Sequence, residues 1–268
     1  MSDLTDRIRT VLGPNSLTVR AGQVVYSGCL GWMAAERGIK WRVNGAVIRI
    51  DPRARHLIPH ANEPVLFDFL RSHIRPGDVI LDIGSFLGTY AVLEARWAGS
   101  SGRVVAIEPT PASGAMLRTH LRMNRVEERV IVIEAAVGRQ PGQAVLEEFS
   151  EPYRNQLARP DGRSSGRRSV RMVTVDEVCR TFGLVPDWIR MDVQGAEFDV
   201  LRGAVQTLRA GRGRLRVVAE MHPQLWPQWG VTPESAGGVL SSMGLAAVGL
   251  ETPHDPFGRD QHALMSAL

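Results

Sequence analysis

Asp82, Glu108, Asp192, Glu220 and His222 each close or closely follow a short apolar run. The runs are Val79-Ile80-Leu81, Val104-Val105-Ala106-Ile107, Trp188-Ile189-Arg190-Met191 and, for the last two residues, Leu215 to Ala219. Titratable groups at strand ends gather along one edge of a parallel sheet, the edge where open α/β folds bind ligands. Behind Asp82 runs Ile83-Gly84-Ser85-Phe86-Leu87-Gly88, a glycine turn that leads into a helix, and Glu108-Pro109 ends the next strand. Strand, glycine turn, helix and acid-capped strand describe a βαβ unit that holds a nucleoside. The glycines let backbone approach a ligand closely, and Glu108 is placed to accept from two ribose hydroxyls.

The turn does not suit a dinucleotide. A pyrophosphate loop needs G-x-G-x-x-G, whereas Gly84 and Gly88 are four apart and Asp82 precedes them. An acid aimed at that loop repels a pyrophosphate. It suits a ligand that carries an ammonium and a sulfonium, namely S-adenosylmethionine.

The elements that must position these residues alternate between strand and helix. Val65, Leu66, Phe69, Leu70 and Ile74 share a helical face, and Pro76-Gly77-Asp78 stops that helix before the Val79 strand. Thr110-Pro111 starts a helix to Asn124, and Val130 to Ile133 is the third strand. Thr174 caps a helix through Phe182, Trp188 to Met191 is the fourth strand, and one helix runs from Ala196 to about Arg209. Leu215 to Ala219 is the fifth strand, and Thr232-Pro233-Glu234 opens another helix. Leu245 to Leu250 and His262 to Leu268 are joined too tightly for a crossover, so they pair antiparallel. The expected fold is α/β: a mostly parallel Rossmann-like sheet with helices on both faces and an antiparallel C-terminal strand pair.

Residues 1–60 read as a separate small cap. Leu4, Ile8, Val11 and Leu12 share a helical face, and Asn44-Gly45 between two alternating runs predicts a type I′ hairpin. The main domain then spans 61–268. Its polar interlude at 138–169 contains a strand around Ala144 to Phe149 and the basic residues Arg163, Arg167 and Arg168, and reads as an insert or lid.

Composition narrows the partners. The 268 residues carry 44% apolar side chains and a formal net charge of only +4, and no run approaches the ~18 apolar residues of a membrane span. Met1 to Arg9 has no signal-peptide core, which makes the cytoplasm the expected compartment. No basic run is interleaved with aromatics in the manner of a strand-binding groove, so nucleic acid is not the expected partner. Two cysteines far apart exclude a disulfide framework or a zinc knuckle. Nothing in the sequence sets an oligomeric state.

Ile189-Arg190-Met191-Asp192-Val193-Gln194-Gly195-Ala196-Glu197, then Val200-Leu201-Arg202-Gly203-Ala204, resembles the signature of the FkbM family of S-adenosylmethionine-dependent methyltransferases. Glu63-Pro64, Pro76-Gly77-Asp78, Glu108-Pro109, Ala136-Val137-Gly138 and Glu220-x-His222 match that family in order. The resemblance covers about residues 60 to 265 and implies a class I methyltransferase fold. It also implies methyl transfer, commonly to an oxygen of a sugar, natural product or other small metabolite. Two positions depart from the pattern: Ser85-Phe86 stands for the usual Ala-Asn, and Gln194 for a glutamate.

The expected cofactor contacts are Asp82, Gly84, Ser85, Gly88, Glu108, Glu134, Ala136 and Asp192. The expected catalytic group is His222 as general base, titrating near neutrality, with Asp192 and Glu220 beside it. Asp192 either orients His222, meets the cofactor's amino group, caps the following helix, or shares a divalent cation such as Mg²⁺ with Glu220 and His222. Gln194 in place of an acid weighs against the cation. Glu197 reads as structural, and Trp226 and Trp229 either stack on an acceptor or cover the sheet end. The remaining histidines, His262 included, read as structural. RNA or protein as the methyl acceptor, and a non-catalytic cofactor-binding protein, are the alternatives.

Overall fold

A computed structural model of the protein describes residues 37–149, 152, 155–157 and 166–268. The helix expected over Leu4 to Leu12 and Arg163 lie outside them. The chain divides into two compact units, 1–62 and 63–268. In the first, β1 (Ile39–Val43) and β2 (Ala46–Ile50) form the expected antiparallel hairpin. Asn44 and Gly45 both take positive φ, as a type I′ turn demands.

In the second unit, α1 (Pro64–His73) precedes β3 (Val79–Ile83), α2 (Thr89–Trp97), β4 (Arg103–Ile107), α3 (Pro111–Asn124) and β5 (Val130–Ile133). After an insert come α4 (Val175–Phe182), β10 (Trp188–Met191), α5 (Glu197–Arg202), α6 (Val205–Ala210) and β11 (Arg216–Met221). The unit closes with α7 (Pro233–Ser242), β12 (Leu245–Gly249) and β13 (Gln261–Ala267). The seven strands of the main sheet lie in the order β12-β13-β11-β10-β3-β4-β5.

The neighbours from β11 through β10, β3 and β4 to β5 are parallel. Strands buried on both faces explain the near-continuous apolar runs: Leu81, Val105, Ile189 and Val217 have at most 1% of their surface exposed. The two last strands are antiparallel to each other, as expected, and β13 inserts between β11 and β12. Chain order reverses between β3 and β10, which places a topological switch point where Gly84 meets Asp192. Among the described residues no helix is long and apolar enough to cross a membrane.

Two expectations are corrected. The helix read as continuous from Ala196 to Arg209 is two helices. Gly203 lies so close to the Gly138 carbonyl that a Cβ there would sit 2.1 Å from its oxygen. Asp176 then caps α6 from a neighbouring element, its Oδ1 accepting from the Thr207 N–H at 2.8 Å and its Oδ2 from the Gln206 N–H at 3.0 Å. Thus the matching segments Ala136-Val137-Gly138 and Val200 to Ala204 meet backbone to backbone.

The insert is more ordered than its polarity suggests. Besides the expected strand, seen as β7 (Gly142–Glu148), it holds β8 (Gln156–Leu157) and the start of β9 (Gly166–Val173), which form a second sheet with β6 (Ala136–Val137) just before it. The start of β9 carries no apolar alternation to reveal it. Its pairing with β7 is instead flanked by Arg167–Glu147 at 3.2 Å and Arg168–Glu148 at 2.8 Å. Those two arginines lie against carboxylates of the adjacent strand.

Candidate active site

The Gly84 loop crosses the end of β10. Gly84 has φ +77, and a Cβ built on it would fall 1.9 Å from the Asp192 carbonyl oxygen. Its space is therefore taken by protein, so the glycine serves first to seat the loop on the next strand. Gly84→Ala is expected to push these two strand ends apart and to weaken cofactor binding at least tenfold (about 1.4 kcal/mol); isothermal calorimetry with S-adenosylhomocysteine checks it.

Next in the loop, Phe86 adopts φ +48, a left-handed conformation that suits asparagine far better than phenylalanine. The Phe86 N–H donates to Glu108 Oε2 at 2.9 Å, and the Thr110 N–H donates to Glu108 Oε1 at 2.8 Å. Thr110 holds the N-cap position of α3, but its hydroxyl makes no cap bond. Glu108 ties two loops together and lines a cleft of about 700 Å³, open side included. Burial pushes its carboxyl up to about 7, against the hydrogen bonds from Thr110 and Phe86 that hold it down. Each oxygen retains further acceptor capacity. The cleft is lined by Ile107, Pro109, Ala135, Leu146 and Leu157, and also by Asp192 and Gln194.

Asp82 does not face this cleft, which corrects the reading of the turn. It lies within β3, paired in register with Arg190 of β10, and is fully buried. Arg190 Nη1 donates to its Oδ1 at 3.0 Å, and the guanidinium sits 4.5 Å over the Tyr90 ring. Glu94 is buried nearby with no hydrogen-bond partner on either oxygen; burial and the Asp82 charge hold it well above the usual carboxylate range. The acids that can meet a cationic ligand in the cleft are Glu108 and Asp192.

The acid–base cluster forms past the ends of β10 and β11. Glu197, fully buried at the start of α5, spends both oxygens: Oε1 on His222 Nδ1 (2.7 Å) and the Gly195 N–H (3.0 Å), Oε2 on the Trp226 indole N–H (2.8 Å). Gln194, left-handed at φ +50, places its side-chain amide 3.1 Å from both Asp192 Oδ1 and His222 Nε2. Glu220 Oε1 and Asp192 Oδ1 lie 3.8 and 4.0 Å from the same His222 Nε2. In the neutral ring Nδ1–H donates to Glu197 and Nε2 accepts from Gln194.

Burial opposes the imidazolium, yet the Glu197 hydrogen bond and the charges of Glu197, Asp192 and Glu220 prevail and lift His222 to about 9. The expectation of an imidazole titrating near neutrality is thereby replaced. Glu220 is itself pushed up to about 8 by burial and by Asp192.

Of the expected cofactor contacts, Gly84, Glu108, Ala136 and Asp192 line one cleft. Ser85 is buried and turns its hydroxyl onto the Asp82 carbonyl at 2.7 Å. Gly88 is the N-cap of α2, and Glu134 is exposed beside Gly114 of α3. Asp192 does not cap the following helix, whose N-cap is Ala196. Sequence reasoning missed Glu197 as the residue that holds His222; its spacing within D-V-Q-G-A-E was the available signal. It also missed Asn155, Gln156 and Leu157 on the cleft wall, which no periodicity marks. Trp226 is fully buried against Phe198 and Phe257, so it covers the sheet end and does not stack on a ligand.

Comparison with known proteins bears on this geometry. The methyltransferase FkbM domain matches residues 82–244. Ribosomal protein L11 methyltransferase of Carboxydothermus hydrogenoformans is 27% identical over 89 residues, 33% of this chain and 28% of that protein. The crystal structure of methyltransferase FkbM from Methylobacillus flagellatus KT aligns at 14% identity with a TM-score of 0.48, over 74% of this chain and half of that one. An O-methyltransferase from Bacillus cereus in complex with SAH aligns at 14% identity and TM-score 0.48, over 99% and 97% of the two chains. The domain match takes in more than half of the 268 residues, including the Gly84 loop, Glu108 and the acid–base cluster, and the chain belongs to the FkbM methyltransferase family.

Proposed function

We propose that the protein transfers a methyl group from S-adenosylmethionine to a hydroxyl of a small molecule. The observation that carries this reading is His222, held at Nδ1 by buried Glu197 while its Nε2 meets Asp192 and Gln194, two residues of the Glu108 cleft. The residues present fit the cofactor. Glu108 has unspent acceptor sites for a pair of ribose hydroxyls, and Ile107, Leu146 and Leu157 offer apolar walls for a purine. Asp192 supplies negative charge for an ammonium. When bound, S-adenosylmethionine supplies an electrophilic methyl at a sulfonium.

With the cofactor bound, His222 would take the acceptor's hydroxyl proton at Nε2 as the hydroxyl oxygen receives the methyl group. Glu197 holds the resulting imidazolium and Asp192 orients the acceptor, so alignment and proton removal share the work. Gln194 must yield its contact with Nε2 to the acceptor hydroxyl. Incubating the protein with labelled cofactor and a small-molecule extract, with products read by mass shift, tests the proposal. Methylated hydroxyl products support it. Transfer only to RNA or protein, with steep salt dependence in the RNA case, would replace small-molecule acceptors with a macromolecule.

A further inference from the structure

A second cluster adjoins the first through Glu220. Glu220 and His262 are paired across the antiparallel β11–β13 ladder, which puts their side chains on one face. Glu63, at the N-cap of α1, brings Oε2 to 3.9 Å from His262 Nε2. One ligand atom from each of Glu63, Glu220 and His262 lies within 4.8 Å of the other two.

His262 is 6% exposed and firmly oriented: its Nδ1 lies 2.8 Å from Glu251 Oε1, and its backbone N–H donates to Glu251 Oε2 at 2.9 Å. With Nδ1–H donating to that carboxylate, the Nε2 lone pair points into the cluster. There it is buried without a hydrogen-bond partner, as is Glu63 Oε2. Buried polar atoms seldom stay unpaired, and no donor stands within hydrogen-bond distance of this nitrogen. An imidazole backed at one nitrogen by a carboxylate, with the other nitrogen free, is the arrangement of metal-bound histidines. Glu63, Glu220 and Glu251 are the carboxylates next to His262, and Arg190, 3.8 Å from Glu63, is engaged by Asp82 at 3.0 Å.

We propose that Glu63, Glu220 and His262 hold one divalent first-row transition cation. The mixed imidazole and carboxylate set suits Mn²⁺, Fe²⁺ or Zn²⁺ better than Mg²⁺, which prefers oxygen ligands and keeps its waters. Three protein ligands leave coordination positions open, and the shared Glu220 sets the cation beside the His222 cluster.

The test needs no turnover, so its outcome is independent of the methyl-transfer reading. The full chain is stripped with EDTA and titrated with Mn²⁺, and free Mn²⁺ is read by electron paramagnetic resonance. One equivalent is expected to bind at micromolar metal. His262→Gln and Glu251→Gln are expected to weaken binding by at least about tenfold, whereas His222→Gln leaves it within a few-fold. Melting curves in EDTA confirm that each variant folds, and visible absorption of the wild-type Co²⁺ form reports the nitrogen ligand without any substitution. No saturable binding at millimolar Mn²⁺ would overturn the site. So would binding that His222→Gln abolishes and His262→Gln spares.

Discussion

Arg190→Met is expected to destabilise the fold by about 3–5 kcal/mol, the cost of leaving one member of a buried ion pair without its partner. Arg190 is 6% exposed and Asp82 fully buried, and Nη1 to Oδ1 at 3.0 Å is the hydrogen bond that satisfies Asp82. The same guanidinium lies over Tyr90 and within 3.8 Å of Glu63, so its loss also releases the start of α1. Methionine fills much of the volume but supplies no charge. Urea unfolding should therefore show a lowered midpoint with an unchanged slope. The double variant Asp82→Leu, Arg190→Met should recover most of the loss, because a well-packed apolar pair can replace a buried ion pair at little cost. A loss below about 1 kcal/mol in the single variant would place Asp82 in contact with water and contradict the described burial.

His222→Ala is expected to lower turnover by about 10²–10⁴-fold, the usual contribution of a positioned general base. Cofactor affinity should stay close to wild type, because Glu108 and the Gly84 loop are untouched and His222 is not on the cleft wall. The pH profile carries the sharper signature. With His222 lifted to about 9 in the metal-free protein, the neutral base accumulates only as pH rises past 7, so kcat/KM measured in EDTA should keep climbing well above the ordinary imidazole value of 6.5. Glu197→Gln keeps an acceptor at Nδ1 but removes the charge, and should move that limb towards lower pH.

Stability in EDTA must follow the same linkage. A pKa raised on folding gives stabilisation that is complete below 6.5 and is lost as pH rises through about 9. Denaturant midpoints of the metal-free protein should fall across that window, and less so in Glu197→Gln. Wild-type turnover in His222→Ala would remove this residue from the reaction.

Strand ends were legible because a parallel sheet writes its strands as apolar runs and its ligand edge as the residues that follow. Gly84, Glu108, Asp192, Glu220 and His222 could be placed at strand ends that way. Asp82 was misread because sequence shows that an acid follows three apolar residues, but not that Arg190, 108 positions on, is its register partner. The pairing of Glu220 with His262 was hidden for a similar reason, since β13 slips between β11 and β12. Strand β9 escaped because its early residues are polar and its pairing lies beside cross-strand charges.

The left-handed residues tell a complementary story. Among the described residues, five other than glycine have positive φ. Asn44 belongs to the I′ turn and Arg125 ends α3, while Glu63, Phe86 and Gln194 all stand at the two clusters or the cleft. Such conformations cost of order 1–3 kcal/mol each and persist where surrounding structure enforces them. Phe86 and Gln194 also fall at the positions where the sequence departs from the pattern it resembles.

The most direct measurement is calorimetric titration of the wild-type protein and of Glu108→Ala with S-adenosylhomocysteine. One equivalent should bind the wild type at micromolar ligand, and loss of the Glu108 carboxylate should weaken binding at least tenfold (about 1.4 kcal/mol). No heat at millimolar ligand, or equal affinity in the two proteins, would contradict the assignment of this cleft to a nucleoside cofactor.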